Sequence, residues 1–245
     1  MNNLWLALGV LSVSMTSPIQ AAVKEVVLVH GAFADGAGWK PVATILERDG
    51  YSVHVVQIPE TGYDADVTAT RIVLDHSGPC VLVGHSWAGM VITETGTHAS
   101  VRSLVYINAF QPAVGETAGA LQTKTPPAST SIVPVGAGFL AIKPEAFHQD
   151  FAADVPQSVT DFMSISQVPI AASSFDAKAK ATAWSQKKTY AVVSTQDREI
   201  NPELERFMSG RAKSETIELT GSHAIFLSHP KEIAALIEKA AKAAE

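Results

Sequence analysis

Three residues, far apart along the chain, have the types that acyl-transfer chemistry requires. Ser86 lies in Gly84-His85-Ser86-Trp87-Ala88-Gly89, where an apolar run breaks at the serine and resumes with helical spacing. A serine at such a strand–turn–helix junction is a nucleophile elbow, in which a strained turn pushes the hydroxyl out of a packed sheet. Small neighbours let strand and helix approach closely. The hydroxyl is too weak an acid to attack unaided, so it needs a base, and the base needs an orienting partner. His223, in Gly221-Ser222-His223, offers the imidazole, and Asp197, in Thr195-Gln196-Asp197-Arg198, the carboxylate. Glu199 is close enough to compete for the acid's role by sequence alone; Asp197 is preferred. In this arrangement His223 takes the Ser86 proton during attack on a carbonyl and returns it to the leaving alcohol, while Asp197 fixes the imidazole tautomer. The oxyanion needs preorganised donors, expected to be the backbone N–H groups of Trp87 and Ala32.

These residues act together only if the fold converges them. Val26 to Val29 is a continuous apolar run, the pattern of a strand buried on both faces of a parallel sheet. Further strands are expected at Val53–Ile58, Cys80–Val83, Ser103–Ile107, Tyr190–Val193 and Thr216–Leu219. Between them, helical spacing runs over Trp39–Arg48, Ala65–His76, Ser86 to about Thr97, Pro202–Ala212 and Pro230–Ala244. Six strands alternating with helices predict an α/β fold, a mainly parallel six-stranded sheet with helices on both faces. Ligands bind such sheets beyond the carboxyl ends of the strands. The loop at His30-Gly31-Ala32-Phe33, the Ser86 turn and the loops holding Asp197 and His223 therefore share one rim. From about 111 to 183 the character changes: prolines and alanines are frequent and helices short, as in a small helical cap inserted over the sheet. Its phenylalanines, with Phe33 and Trp184, are expected to pack the cap rather than form the site.

At 245 residues with 47% hydrophobic side chains, the chain suits one domain over residues 23–245. A formal charge of −6 without any basic block argues against nucleic-acid binding. Leu4 to Val13 is apolar and is followed by small residues up to Ala22, so residues 1–22 resemble a secretory signal peptide, although Met1-Asn2-Asn3 carries no positive charge. That leader predicts a periplasmic or secreted protein; a non-functional leader would leave it cytoplasmic. The apolar stretch falls short of the roughly twenty residues of a membrane span. Cys80, the single cysteine, is expected in the core, and no metal-ligand spacing is present. His30 and His85 adjoin the site but are read as structural, hydrogen-bonding residues. A monomer or weak homodimer suits this composition.

With these motifs in view, the chain resembles α/β-hydrolases of the plant methylesterase and hydroxynitrile lyase group and their bacterial esterase-like relatives. The anchors are His30-Gly31-Ala32, Gly84 to Gly89, Gln196-Asp197 and Gly221-Ser222-His223. The resemblance implies the α/β-hydrolase fold and a cofactor-free serine esterase acting on small esters. Ala88 stands where the elbow usually has glycine. Ala224 follows His223 where the lyases carry a lysine, which argues against cyanohydrin cleavage. A hydroxynitrile lyase-type activity and a ligand-binding protein retaining the triad are the alternatives; lactonase, thioesterase and perhydrolase chemistry would use the same machinery.

Overall fold

The uniformly apolar segments predicted as strands have no face to offer water, and they pair accordingly. The computed structural model describes residues 23–244; the leader reading of residues 1–22 lies outside the described residues. One sheet is formed by β1 (Glu25–Val29), β2 (Ser52–Val56), β3 (Cys80–His85), β4 (Val101–Ile107) and, later in the chain, Lys188–Ser194 and Glu215–Leu219. All neighbouring pairs in it run parallel. Residues 26–29 of β1 and all of β3 are buried, whereas β2 at one edge and Glu215–Leu219 at the other are partly exposed. Helices α1 (Lys40–Arg48), α2 (Tyr63–Leu74) and α3 (Ala88–Thr95) follow the first three strands. This is the expected α/β-hydrolase architecture.

Boundaries differ from the sequence reading where side chains or backbone strain intervene. β2 ends at Val56 because the N–H of Ile58 donates to His30 Nε2 at 3.1 Å instead of joining the ladder. α3 begins at Ala88, not Ser86, because Ser86 has φ 54°, outside the helical region.

The segment between β4 and the next strand of the large sheet departs most from expectation. Its short helices are present as α4 (Ala118–Lys124), α5 (Pro144–Phe151) and α6 (Gln157–Ser166). It also holds an unforeseen antiparallel sheet of β5 (Ile132–Gly136), β6 (Phe139–Ile142) and β7 (Ile170–Ala171), in the order β5-β6-β7. The hairpin closes through Gly136-Ala137-Gly138, all three at positive φ, a turn that glycine makes inexpensive. The N–H of Ala171 bonds to Glu60 O at 2.8 Å, joining this small sheet to the loop after β2. The chain then returns to the large sheet with β8 (Lys188–Ser194), α7 (Pro202–Arg211) and β9 (Glu215–Leu219), and closes with α8 (Ile225–Ser228) and α9 (Pro230–Lys242). α1 packs on α9 and α2 on α3, pairs that right-handed crossovers put on opposite faces. Among the described residues, no helix is long and apolar enough to cross a membrane.

Candidate active site

The turn after β3 is shaped by close backbone approach. Ser86 is held in the left-handed region, at a cost of about 1–2 kcal/mol for a residue with a side chain. Its N–H bonds to Ile107 O at 3.2 Å, and its carbonyl accepts from the N–H groups of Gly89 and Phe110. A Cβ on Gly89 would overlap the Phe110 carbonyl oxygen, and one on Gly31 would lie 2.7 Å from Ser86 Cβ. Both positions therefore need glycine on steric grounds. Ala88 is fully buried at the helix start, so its methyl group is accommodated.

The rim converges as the topology requires. His223 Nδ1 lies 2.6 Å from Asp197 Oδ2, and Nε2 lies 2.8 Å from Ser86 Oγ. Facing a carboxylate, Nδ1 carries the proton, which leaves the Nε2 lone pair directed at the serine hydroxyl. Asp197 Oδ1 accepts the N–H groups of Glu199 at 2.8 Å and Ile200 at 2.9 Å, so this buried carboxylate is satisfied on both oxygens. Glu199 gives its backbone N–H to Asp197, and it is Asp197 rather than Glu199 whose carboxylate meets His223. Burial pushes its own carboxyl up to about 7. Glu205 is buried nearby; desolvation first, and the charge of Asp197 second, hold its carboxyl well above the usual carboxylate range.

Ala32 and Trp87 line the same cavity as Ser86 and His223. Among the described residues, neither of their backbone N–H groups has a hydrogen-bond acceptor. Two donors left unused by the fold beside a serine hydroxyl are the arrangement that an oxyanion would require.

Residues not singled out by sequence hold the histidine turn. The Asn108 side-chain amide donates to Ser194 Oγ at 2.8 Å, Ser222 O at 3.1 Å and His223 O at 3.0 Å. Asp154, between α5 and α6, accepts the Ser222 N–H at 3.1 Å, the Ser222 hydroxyl, and the Ser228 hydroxyl at 2.8 Å. Burial alone would raise the Asp154 carboxyl, but these donors hold it below its ordinary value. Asn108 carried one signal: an asparagine at the carboxyl end of a predicted strand, where it now sits at φ 43°.

A sequence profile of the alpha/beta hydrolase family matches residues 26–236. The chain belongs to the alpha/beta hydrolase family. Over 130 residues it is 32% identical to a carbendazim hydrolyzing esterase from Nocardioides sp. strain SG-4G, a match covering 47% of this chain and 53% of that one. The chain spans about half or less of the length of the curated relatives it matches. Among solved structures, it resembles a pyrethroid hydrolase from Sphingobium faniae JZ-2 with a TM-score of 0.75 and 24% identity, over 90% of this chain and 98% of that one. It also resembles a methylesterase from Arabidopsis with a TM-score of 0.73 and 19% identity, over 89% of this chain and 98% of that one. The likeness to plant methylesterases inferred from the motifs is therefore present in the fold.

Within this alpha/beta hydrolase, the two histidines beside the site have identifiable hydrogen-bonding roles. His30 Nδ1–H donates to Gly31 O at 2.9 Å and Nε2 accepts from Ile58, while burial lowers its pKa and keeps it neutral. His85 donates from Nε2 to His223 O at 3.0 Å and is likewise neutral, burial being the first cause. The phenylalanines divide. Phe33, Phe151 and Phe175 line the cavity at Ser86, contrary to the expectation that they only pack the segment. Phe147 is buried behind Phe151, and Trp184 donates its indole N–H to Pro112 O. Among the described residues, no cluster of three or more His, Cys, Asp or Glu is placed to hold a metal ion.

Proposed function

We propose that this alpha/beta hydrolase is a serine carboxylic-ester hydrolase working through an acyl-enzyme. The observation that supports it is the continuous Asp197–His223–Ser86 relay opening onto a cavity with two unused N–H donors. Ser86 Oγ bonds to the ester carbonyl carbon as its proton passes to His223 Nε2, and the carbonyl oxygen takes the negative charge toward the N–H groups of Ala32 and Trp87. Collapse breaks the C–O bond, and His223 returns the proton to the departing alcohol. Water, deprotonated by the same imidazole, then releases the acid and regenerates Ser86. The relatives named as esterases and hydrolases support ester hydrolysis in general. No lysine or arginine lines the cavity, which agrees with Ala224 in weighing against cyanide release.

The substrate class follows from volume and lining. The space at Ser86 is only about 20 Å³ and mostly apolar, with Phe33, Phe110, Phe151, Phe175 and Ile132 around it. Across Phe33 lies a wider apolar groove of about 290 Å³, lined by Phe162, Met163, Phe226 and Leu227 among others. An ester with a small group at the reacting carbonyl and a larger apolar end in that groove fits both. In this reading segment 111–183 serves as the cap, and residues 1–22 direct export and are removed; the N-terminal residue of protein recovered from its host checks the latter.

The direct test is turnover of 4-nitrophenyl acetate and butyrate by wild type and Ser86→Ala. A loss of roughly 10⁵-fold is expected for the variant, with an acyl adduct on Ser86 trapped from wild type by rapid acid quench and mass spectrometry. Equal turnover by the two proteins would refute the proposal.

A further inference from the structure

Behind the cavity, two carboxyl side chains are fully buried and take no part in the relay. Glu60 and Asp66, on the loop after β2 and the first turn of α2, each have 0% of their surface exposed. Buried carboxyls are costly, so the groups they touch identify their use. Asp66 Oδ2 accepts the indole N–H of Trp87 at 2.8 Å, and Oδ1 accepts the backbone N–H of Glu60 at 2.8 Å. Glu60 Oε2 in turn accepts the backbone N–H of Phe33 at 3.3 Å. These bonds make one bridge, Trp87 to Asp66 to Glu60 to Phe33. One end is the residue after the serine, and the other directly follows Ala32.

The bridge spans strained backbone. Ser86, Phe33 and Glu60 all have positive φ, at 54°, 62° and 56°, and none is glycine. Such conformations persist where surrounding contacts over-determine them. Here the contacts tie together the two segments whose N–H groups open into the cavity, with no protein acceptor of their own.

We propose that Glu60 and Asp66 are positioning residues that fix the spacing of the Ala32 and Trp87 N–H donors, an inference that rests on the esterase reading above. Neither touches substrate; each acts through the segment it holds. Burial supports the picture by keeping Glu60 protonated, its pKa pushed up to about 9. Asp66, raised to about 6 by burial, still ionises at neutral pH to accept its two donors. The Phe33 N–H needs only an acceptor oxygen at this position, which glutamine also supplies, while the second Glu60 oxygen lies 3.5 Å from His30 Nδ1 and makes no hydrogen bond.

The experiment compares Trp87→Phe, Glu60→Met and Glu60→Gln with wild type and Ser86→Ala on 4-nitrophenyl butyrate, each variant first checked for a cooperative thermal transition. Donors displaced from the oxyanion lose transition-state rather than ground-state binding. Trp87→Phe and Glu60→Met are therefore expected to lose about tenfold or more in kcat, with KM within about threefold. Glu60→Gln, which keeps the acceptor, is expected to regain most of what Glu60→Met loses. The proposal is overturned if folded Trp87→Phe keeps kcat within threefold of wild type, or if Glu60→Gln is as impaired as Glu60→Met. Should Glu60→Met fail to fold, Trp87→Phe decides, since it removes the indole donor to Asp66 and leaves the Trp87 backbone N–H. Activity surviving in Ser86→Ala would instead overturn the esterase reading beneath it.

Discussion

Replacing Glu60 by glutamine should raise the protein's stability relative to wild type progressively as pH rises. In the folded protein burial raises the Glu60 carboxyl to about 9, from an ordinary value of 4.5. Above pH 4.5 the unfolded chain releases this proton while the folded chain retains it. The contribution of Glu60 to stability is thus fully present below 4.5 and is lost progressively as pH rises toward 9. Each pH unit in that window costs about 1.4 kcal/mol. Glutamine does not titrate, so the stability difference between Glu60→Gln and wild type should grow by about 3 kcal/mol between pH 5 and pH 7. Asp66 titrates in both proteins and cancels from the difference. The slope, not the offset, is the test, because the amide also changes the contact with Phe33 by a pH-independent amount. Urea unfolding of both proteins at half-unit steps from pH 5 to 7 measures it. A difference flat to within about 0.5 kcal/mol would show that Glu60 titrates alike in the folded and unfolded chains, contradicting the burial argument.

Gly89→Ala should destabilise the protein by about 2–3 kcal/mol in urea unfolding, because the new methyl meets a backbone carbonyl that no rotamer change can move; unchanged stability would mean the turn after β3 is looser than described. Asn108→Ala should cost roughly 2 kcal/mol and lower kcat more than it raises KM, since it frees the His223 turn. Asn108→Gly relieves the positive φ yet should stay as slow, which separates the lost amide from backbone strain. Phe33→Ala should join the small cavity to the neighbouring groove and shift kcat/KM toward long-chain 4-nitrophenyl esters by about tenfold relative to acetate; an unchanged chain-length profile would count against Phe33 as the partition.

What the sequence made legible was local or periodic. The apolar runs gave the parallel sheet, and the turn chemistry around Ser86 gave the elbow. Asp197 and His223 could be picked out because each directly follows a predicted strand, and strand ends in this topology share a rim. The small sheet of β5 to β7 was missed because its strands are short and show no clean alternation, β5 running from half-buried to exposed and β7 being buried throughout. Gly136-Ala137-Gly138 was nonetheless a readable hairpin turn. Asp154, Glu60 and Asp66 were beyond sequence reasoning for another reason, and Asn108 carried only its place at a strand end: each acts through partners that are distant along the chain. Asp154 and Ser222 are one such pair, Glu60 and Phe33 another. A lone carboxylate in a loop carries no mark of the peptide it will hold. Glu199 illustrates the reverse, since its nearness to Asp197 made it a rival, and only the direction of the imidazole separates them.

Asp154 also constrains how this scaffold can be rebuilt. Ser86, Asp197 and His223 are mounted on loops leaving the large sheet, whereas part of the wall around them, including Phe151 and Phe175, is lent by residues 111–183. On the esterase proposal, exchanging that stretch for a cousin's would retailor selectivity and leave Ser86, Asp197 and His223 in place. Yet one carboxylate within the exchanged stretch grips the peptide immediately ahead of His223. A successful graft must bring its own anion to that spot, or the imidazole it inherits will sit on a turn that keeps its Asn108 and His85 bonds but has lost its carboxylate anchor.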